Sequence, residues 1–399
     1  MNKKLWQSIA LILFFSAYTT AMYAQEKGMT TLIQENFAFA KEQYKLLARN
    51  LPADKMPQHY DPKTGKIDAR DIKWWCSGFY PGSLWLIYEQ TKDEAIHQEA
   101  LRTLKVIEPN RTFTGNHDLG FMMFCSFGNA YRLTGEQHYK DILFQSAASL
   151  STRFRPKVGA IQSWEKSKYW ECPVIIDNMM NLEMLNWVSA NGGEKKYEEM
   201  AITHSNTTLK NHFRPDYSSY HVVDYSPLNG EVIKKATWQG AANTSAWARG
   251  QGWALYGYTM MYRYTRNKKY LKQAEGIANF ILHHPNLPKD KIPYWDFDAP
   301  FIPFAVRDAS AGALIASALL ELGQYVGTGK QQLYVSNAEQ MIRSLASDAY
   351  RSKPGGSGGF LLEHSTGALP LNSEIDIPII YADYYFLEAL KRYQDWYLE

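Results

Sequence analysis

The 399 residues carry 43 Lys and Arg against 40 Asp and Glu, a formal net charge of +3, and hold no basic stripe or long run of like charges. The net charge itself excludes little, but the chain does not resemble a nucleic-acid binder, whose charge would be concentrated in a basic stripe. The three cysteines, Cys76, Cys125 and Cys172, form neither a CxxC nor a Cys/His metal spacing, and an odd count leaves at least one thiol unpaired.

In chain order, residues 1–24 read as a secretory signal peptide: Lys3 and Lys4, an apolar run from Ile9 to Phe15, then Ala-Met-Tyr-Ala before Gln25. Export is expected, with a periplasmic destination and a mature chain of one domain over 25–399. No later stretch reaches about 18 uncharged apolar residues, so no membrane span is expected. No Cys closely follows the apolar run, which argues against a lipid anchor. From there the apolar spacing is helical almost throughout. Start and stop signals place twelve helices near 30–50, 78–91, 93–108, 117–134, 137–152, 174–191, 195–213, 244–265, 268–283, 308–326, 331–347 and 378–396.

The connections alternate in length. "TGEQHY", "NGGEKKY", "TRNKKY" and "TGKQQLY" each turn the chain briefly and place a Tyr early in the next helix, a weak internal repeat. The other class, at 51–77, 109–116, 153–173, 214–243, 284–307 and 348–377, mostly exceeds the length of an ordinary loop, roughly 12–15 residues. An all-α fold of six helical hairpins closed into a double ring, with every long loop at one mouth, accounts for this alternation.

On that reading each long loop feeds the start of an inner helix, where the unusual polar residues cluster. Asp118 lies in "GNHDLGF", Asp177 in "VIIDNMMNL", Arg249 and Trp253 in "WARGQGW", and Arg307 and Asp308 open the tenth helix. An Asp at a helix start can simply cap it, since free N–H groups and the dipole favour negative charge there. Asp118 and Asp177 are followed by inward apolar residues and flanked by Asn116, His117, Asn178 and Asn181, side chains able to orient a ligand. Two acids facing one cavity are the minimum for acid/base work on a glycoside, because burial and mutual repulsion keep one of them protonated. Arg249 between Trp247 and Trp253 needs a partner if buried, and an anionic sugar would supply one between stacking walls. His221 and Gln239 lie in the long fourth loop. No Gly-rich phosphate loop, HExxH, GxSxG or calcium loop appears, so nucleotide, zinc-protease and serine-hydrolase readings lack support. Aromatic residues make up 14% of the chain, several of them in polar, Gly-containing segments, as in sugar-binding clefts, although the large core of a helical protein uses them too.

Taken together, "NHDLGF", "IIDNMMNLEML", "TWQG", "SAWARGQGWALYGY" and "IIYADYYFLEAL" resemble the unsaturated glucuronyl hydrolases of glycoside hydrolase family 88, from about residue 70 onward. The resemblance implies an (α/α)6 barrel. It also implies removal of a 4,5-unsaturated uronic acid from the non-reducing end of polysaccharide-lyase products. In that reaction an aspartic acid protonates C4, water adds at C5, and the hemiketal collapses to release the sugar without a metal or cofactor. By position it implies Asp177 as general acid/base and Asp118 as the second essential aspartate, orienting water or binding hydroxyls. It implies His117, Trp164, His221, Thr237, Gln239, Trp247, Arg249 and Trp253 as substrate contacts. Many members read Thr-His-Gln-Gly where this chain has Thr237-Trp238-Gln239-Gly240. The substrate expected is a glycosaminoglycan-derived oligosaccharide. The alternatives are an unsaturated rhamnogalacturonyl hydrolase of the related pectin-degrading family and a non-catalytic exported glycan-binding protein.

Overall fold

A computed structural model of the protein describes residues 28–398; the expected signal peptide at 1–24 lies outside the described residues. The helices are α1 (Met29–Asn50), α2 (Phe79–Thr91), α3 (Glu94–Ile107), α4, α5 (Gln137–Ser151) and α6 (Asn178–Ala190), then α7 (Lys196–Asn211), α8 (Ala248–Thr265), α9 (Lys268–His283), α10 (Ala309–Gly323), α11 (Thr328–Leu345) and α12 (Ile380–Tyr397). Helix α4 is built of Leu119–Met123, a π turn at Phe124–Gly128, and Asn129–Thr134.

The even-numbered helices form an inner ring. Helix α2 touches α4, and contacts continue through α6, α8, α10 and α12 back to α2. Burial separates the two rings. Every residue of α10, "ASAGALIASALLELG", is buried, as expected of a helix with protein on all sides. Outer helix α3 buries only Ile96, Ala100, Thr103, Leu104 and Ile107, one face at helical spacing. This is the (α/α)6 barrel that the alternating loops called for.

Each inner helix that leads into an outer one does so by a tight turn, several of them closed by a left-handed residue: Lys92 (φ 52°), Gly135 (φ 70°) and Arg266 (φ 53°). The six long loops all run from an outer helix to the start of an inner one and therefore share one end of the barrel. Short strands stiffen them. In the first loop β1 (Met56–Asp61) pairs with β2 (Lys66–Arg70), and in the third β3 (Phe154–Arg155) pairs with β4 (Ala160–Ile161). A three-stranded antiparallel sheet then joins β5 (Pro173–Ile175) of the third loop to β6 (Val222–Tyr225) and β7 (Val232–Ala236) of the fourth.

Strand β5 corrects the expected start of the sixth helix at 174. The β-branched pair Val174 and Ile175 lies in the ladder opposite Val223 and Val222, and the helix begins only at Asn178. Asp177 is thus held between a strand end and a helix start. At Gly120 a side chain's Cβ would lie 2.5 Å from Asn181 Cα, so α4 and α6 meet backbone to backbone just inside their first turns. That contact brings the Asp118 and Asp177 starts side by side.

Candidate active site

Four aspartates stand immediately before helices, and their side chains behave in two ways. Asp93 accepts from Ala95 N and Ile96 N, and Asp308 from Ser310 N and Ala311 N, so both are true caps. Asp118 and Asp177 make no capping hydrogen bond. The N-cap explanation therefore holds for Asp308 and fails for the two acids singled out by their surroundings.

Burial raises both of these carboxyls from 3.8 to about 7, and for Asp177 the neighbouring charge of Asp118 adds to the rise while Arg249 opposes it. Asp177 Oδ2 is buried with no hydrogen-bond partner. His221 Nε2 stands 3.7 Å from it, and His117 Nε2 stands 3.3 Å from Asp118 Oδ2. His117 is tied at Nδ1 to Asn178 Oδ1 at 2.7 Å. Asn181 donates weakly to Asp118 Oδ1, at 3.4 Å, and accepts from Phe121 N. All three asparagines expected to orient a ligand are engaged within the site: Asn178 holds His117, Asn181 holds Asp118, and Asn116 Oδ1 accepts from Asp118 N.

The remaining sequence candidates divide by what they hold. Arg249 is 2% exposed and finds its partner within the protein: Nη1 lies 2.6 Å from Asp308 Oδ2 and donates to the Thr366 carbonyl, and Nη2 donates to the Gly367 carbonyl. Its guanidinium also lies 4.6 Å over the Trp247 ring and 5.2 Å from that of Tyr381. An anionic ligand is not needed to explain its burial. Trp247 precedes α8 and packs on His221, ring centroids 4.7 Å apart. Trp253 is in the core between Phe121 and Tyr385, its Nε1 buried and without a close partner. Thr237 Oγ1 accepts from Gly240 N, and Gln239 Nε2 donates to the Gly367 carbonyl, so both shape loops at the mouth. Trp164 stands edge-on to His221, centroids 6.0 Å apart.

Trp238, the departure from the related sequences, joins an aromatic cluster: its ring lies 5.9 Å from Trp170 and 5.4 Å from Tyr169, and Trp164 lies 6.1 Å from Trp170. Its backbone N–H still donates to His221 Nδ1. The large ring is therefore accommodated by packing, while the main chain binds His221.

Arg153 escaped the sequence reading because "STRFRPK" resembles an ordinary helix end. It is buried and donates to the carbonyls of Thr114, Gln162 and Ser163, clamping the second and third long loops beside Asp118. A cavity of about 560 Å³ lies toward the other end of the inner helices, lined by residues including Phe124, Trp187, Tyr256 and Arg392. Its ionic groups are neutralised in place, Arg263 by Glu183 at 2.6 Å and Glu321 at 2.7 Å, and neither aspartate reaches it. The unsatisfied chemistry is at the loop end.

The family model for Glycosyl Hydrolase Family 88 matches residues 50–396. The chain belongs to this family. It is similar to an unsaturated glucuronyl hydrolase of Formosa agariphila, 48% identical over 332 residues that cover 83% of this chain and 82% of that protein. It is 33% identical to an unsaturated chondroitin disaccharide hydrolase of Streptococcus agalactiae, over 81% of this chain and 82% of the relative. Among solved structures, an unsaturated glucuronyl hydrolase specific for heparin superposes with a TM-score of 0.88 at 47% identity, covering 92% of this chain and 97% of the other. As a family 88 member the protein is a glycoside hydrolase, and the long-loop end of its barrel carries the chemistry described above.

Proposed function

We propose that the protein removes the 4,5-unsaturated uronic acid from the non-reducing end of oligosaccharides left by lyases acting on glycosaminoglycans. The observation that carries this reading is the pair of largely buried, non-capping aspartates at adjoining inner-helix starts, each facing a histidine. In the reaction Asp177 serves as acid/base for hydration of the C4=C5 enol ether, and Asp118 is its partner at the same mouth. A carboxyl raised to about 7 is suited to this work, since it exchanges a proton near neutral pH. His117, Trp164, His221, Thr237, Gln239, Trp247, Arg249 and Trp253 line or brace the sugar site. The names of the relatives favour glucuronyl and chondroitin-type substrates over rhamnose-linked ones. A non-catalytic binding role would leave the two raised carboxyls without a purpose. The N-terminal 24 residues support export, with action in the periplasm.

The test is loss of ultraviolet absorbance when purified protein meets unsaturated disaccharides, because hydration destroys the conjugated enol ether. A panel of hexosamine-linked disaccharides, sulfated and not, should be bleached. Bleaching of rhamnose-linked disaccharides alone would favour the pectin reading, and binding without bleaching would leave only a glycan-binding role.

A further inference from the structure

The two histidines beside the aspartates have their ring protons placed by groups that leave no choice. At His117, Nδ1 meets Asn178 Oδ1. That amide cannot be turned round, because Asn178 Nδ2 donates to the Ile161 carbonyl at 2.7 Å and to Ser163 Oγ at 3.0 Å, and a carbonyl oxygen only accepts. Nδ1 therefore carries the hydrogen, and in the neutral ring Nε2 is a bare acceptor turned to Asp118 Oδ2. At His221 the order is reversed. The backbone N–H groups of Trp238 and Gln239 both donate to Nδ1, at 3.1 and 3.3 Å, so the hydrogen sits on Nε2 and faces Asp177 Oδ2. His221 Nε2 and Asp177 Oδ2 are both buried and otherwise unpartnered.

An acceptor beside a carboxyl favours its acid form, and a donor favours its carboxylate. We propose that the ligand-free site holds one proton, on Asp118 as an O–H donated to His117 Nε2, while Asp177 is ionised against His221 Nε2–H. His117 and His221 are then positioning residues whose opposite tautomers decide which aspartate starts as the acid. Two groups at Asp118 oppose this assignment, Arg153 and the weakly donating Asn181 amide, and Arg249 favours it at Asp177. Arg153 faces His117 and Asp118, and Arg249, already paired with Asp308, faces Asp177 and His221. His212 and His117 are the remaining titratable neighbours of His221. Burial holds both His117 and His221 at about 3, so neither ring is an imidazolium at neutral pH.

The inference deepens the proposed function and rests on it for one consequence. Asp177 has to gain a proton from solvent, its carboxylate becoming a carboxylic acid, before it can give one to C4. The arriving uronate is an anion, and a like charge raises the proton affinity of Asp177.

The ligand-free protein tests the assignment directly. With 13C-carboxyl aspartate, infrared difference spectra of Asp118→Asn and Asp177→Asn against wild type report which substitution removes a protonated-carboxyl band; buried Asp383, raised to about 8, is common to all three and cancels. Loss in Asp118→Asn with retention in Asp177→Asn is expected, and the reverse overturns the proposal. Long-range 1H–15N spectra of histidine-labelled wild type provide a second reading that needs no variant to fold. They should show His117 as the Nδ1–H tautomer and His221 as the Nε2–H tautomer, and the opposite tautomers or an imidazolium at either would sink it. Expected spectra without bleaching of any unsaturated disaccharide would remove the hydrolase reading alone. Reversed spectra with normal turnover would remove this inference alone.

Discussion

The starts of α6 and α10 place an aspartate in the same position of the same ring, and Arg249 acts on both. At α10, Asp308 is fully buried and spends its oxygens on Ser310 N, Ser310 Oγ, Ala311 N and the Arg249 guanidinium. At α6, Asp177 caps nothing and keeps Oδ2 free, with its proton affinity raised by burial. A carboxylate that builds the fold consumes its lone pairs; one kept for chemistry is held in place by strand β5 and helix α6 and left unsatisfied. The difference lies chiefly in partners, although the Asp308 side chain is fully buried and that of Asp177 is 13% exposed.

The sharpest break of that comparison is the exchange of each acid for its amide. Asp177→Asn should lower turnover by about 10²–10⁴-fold, the usual worth of a general acid/base, while calorimetric binding of an unsaturated disaccharide and the denaturation midpoint hold. A variant turning over at nearly the wild-type rate would remove Asp177 from the chemistry. Asp308→Asn should instead cost stability, about 3–5 kcal/mol, because it leaves the Arg249 charge buried without its counter-ion. Urea unfolding measures it, and an unchanged midpoint would show that the pair does not hold the mouth together.

A pH series sharpens the same contrast. Because Asp118 and Asp177 are raised from 3.8 to about 7, the folded protein binds protons more tightly than the unfolded chain. Their contribution is present in full below about 3.8 and is lost as pH rises through about 7. The unfolding free energy of wild type relative to an Asp118→Asn, Asp177→Asn double variant should therefore fall with pH across that window. A flat difference would mean the carboxyls are not raised. The buried histidines, held low, tilt both proteins alike and drop out of the difference. Asp93→Ala, at the outer helix α3, is the smallest effect expected: about 1 kcal/mol for a lost cap, read from the melting temperature, with kcat unchanged. A change in kcat there would mean that outer-helix caps reach the site.

Much of this architecture is legible in the chain. The helices follow from apolar spacing, and the common mouth follows from the alternation of short and long connections, because a hairpin ring leaves its long links on one side. Asp118 and Asp177 stood out as acids set in apolar runs. The strand at Val174 and Ile175 was not legible, since three residues carry no periodicity and their partners lie nearly fifty residues away in β6. Arg153 and the Asp308 partner of Arg249 were hidden for the same reason: buried charges are satisfied by loops distant in sequence.

Local pattern by itself determined the ring, the end that carries the site and the two acids worth attention, because periodicity, loop length and helix-start chemistry are properties of neighbouring residues. Only the tertiary structure decided which aspartates are caps, where Arg249 spends its charge, and which way each histidine holds its hydrogen. Those outcomes depend on hydrogen bonds between segments that meet only after the barrel closes, and a proton follows the partners actually present.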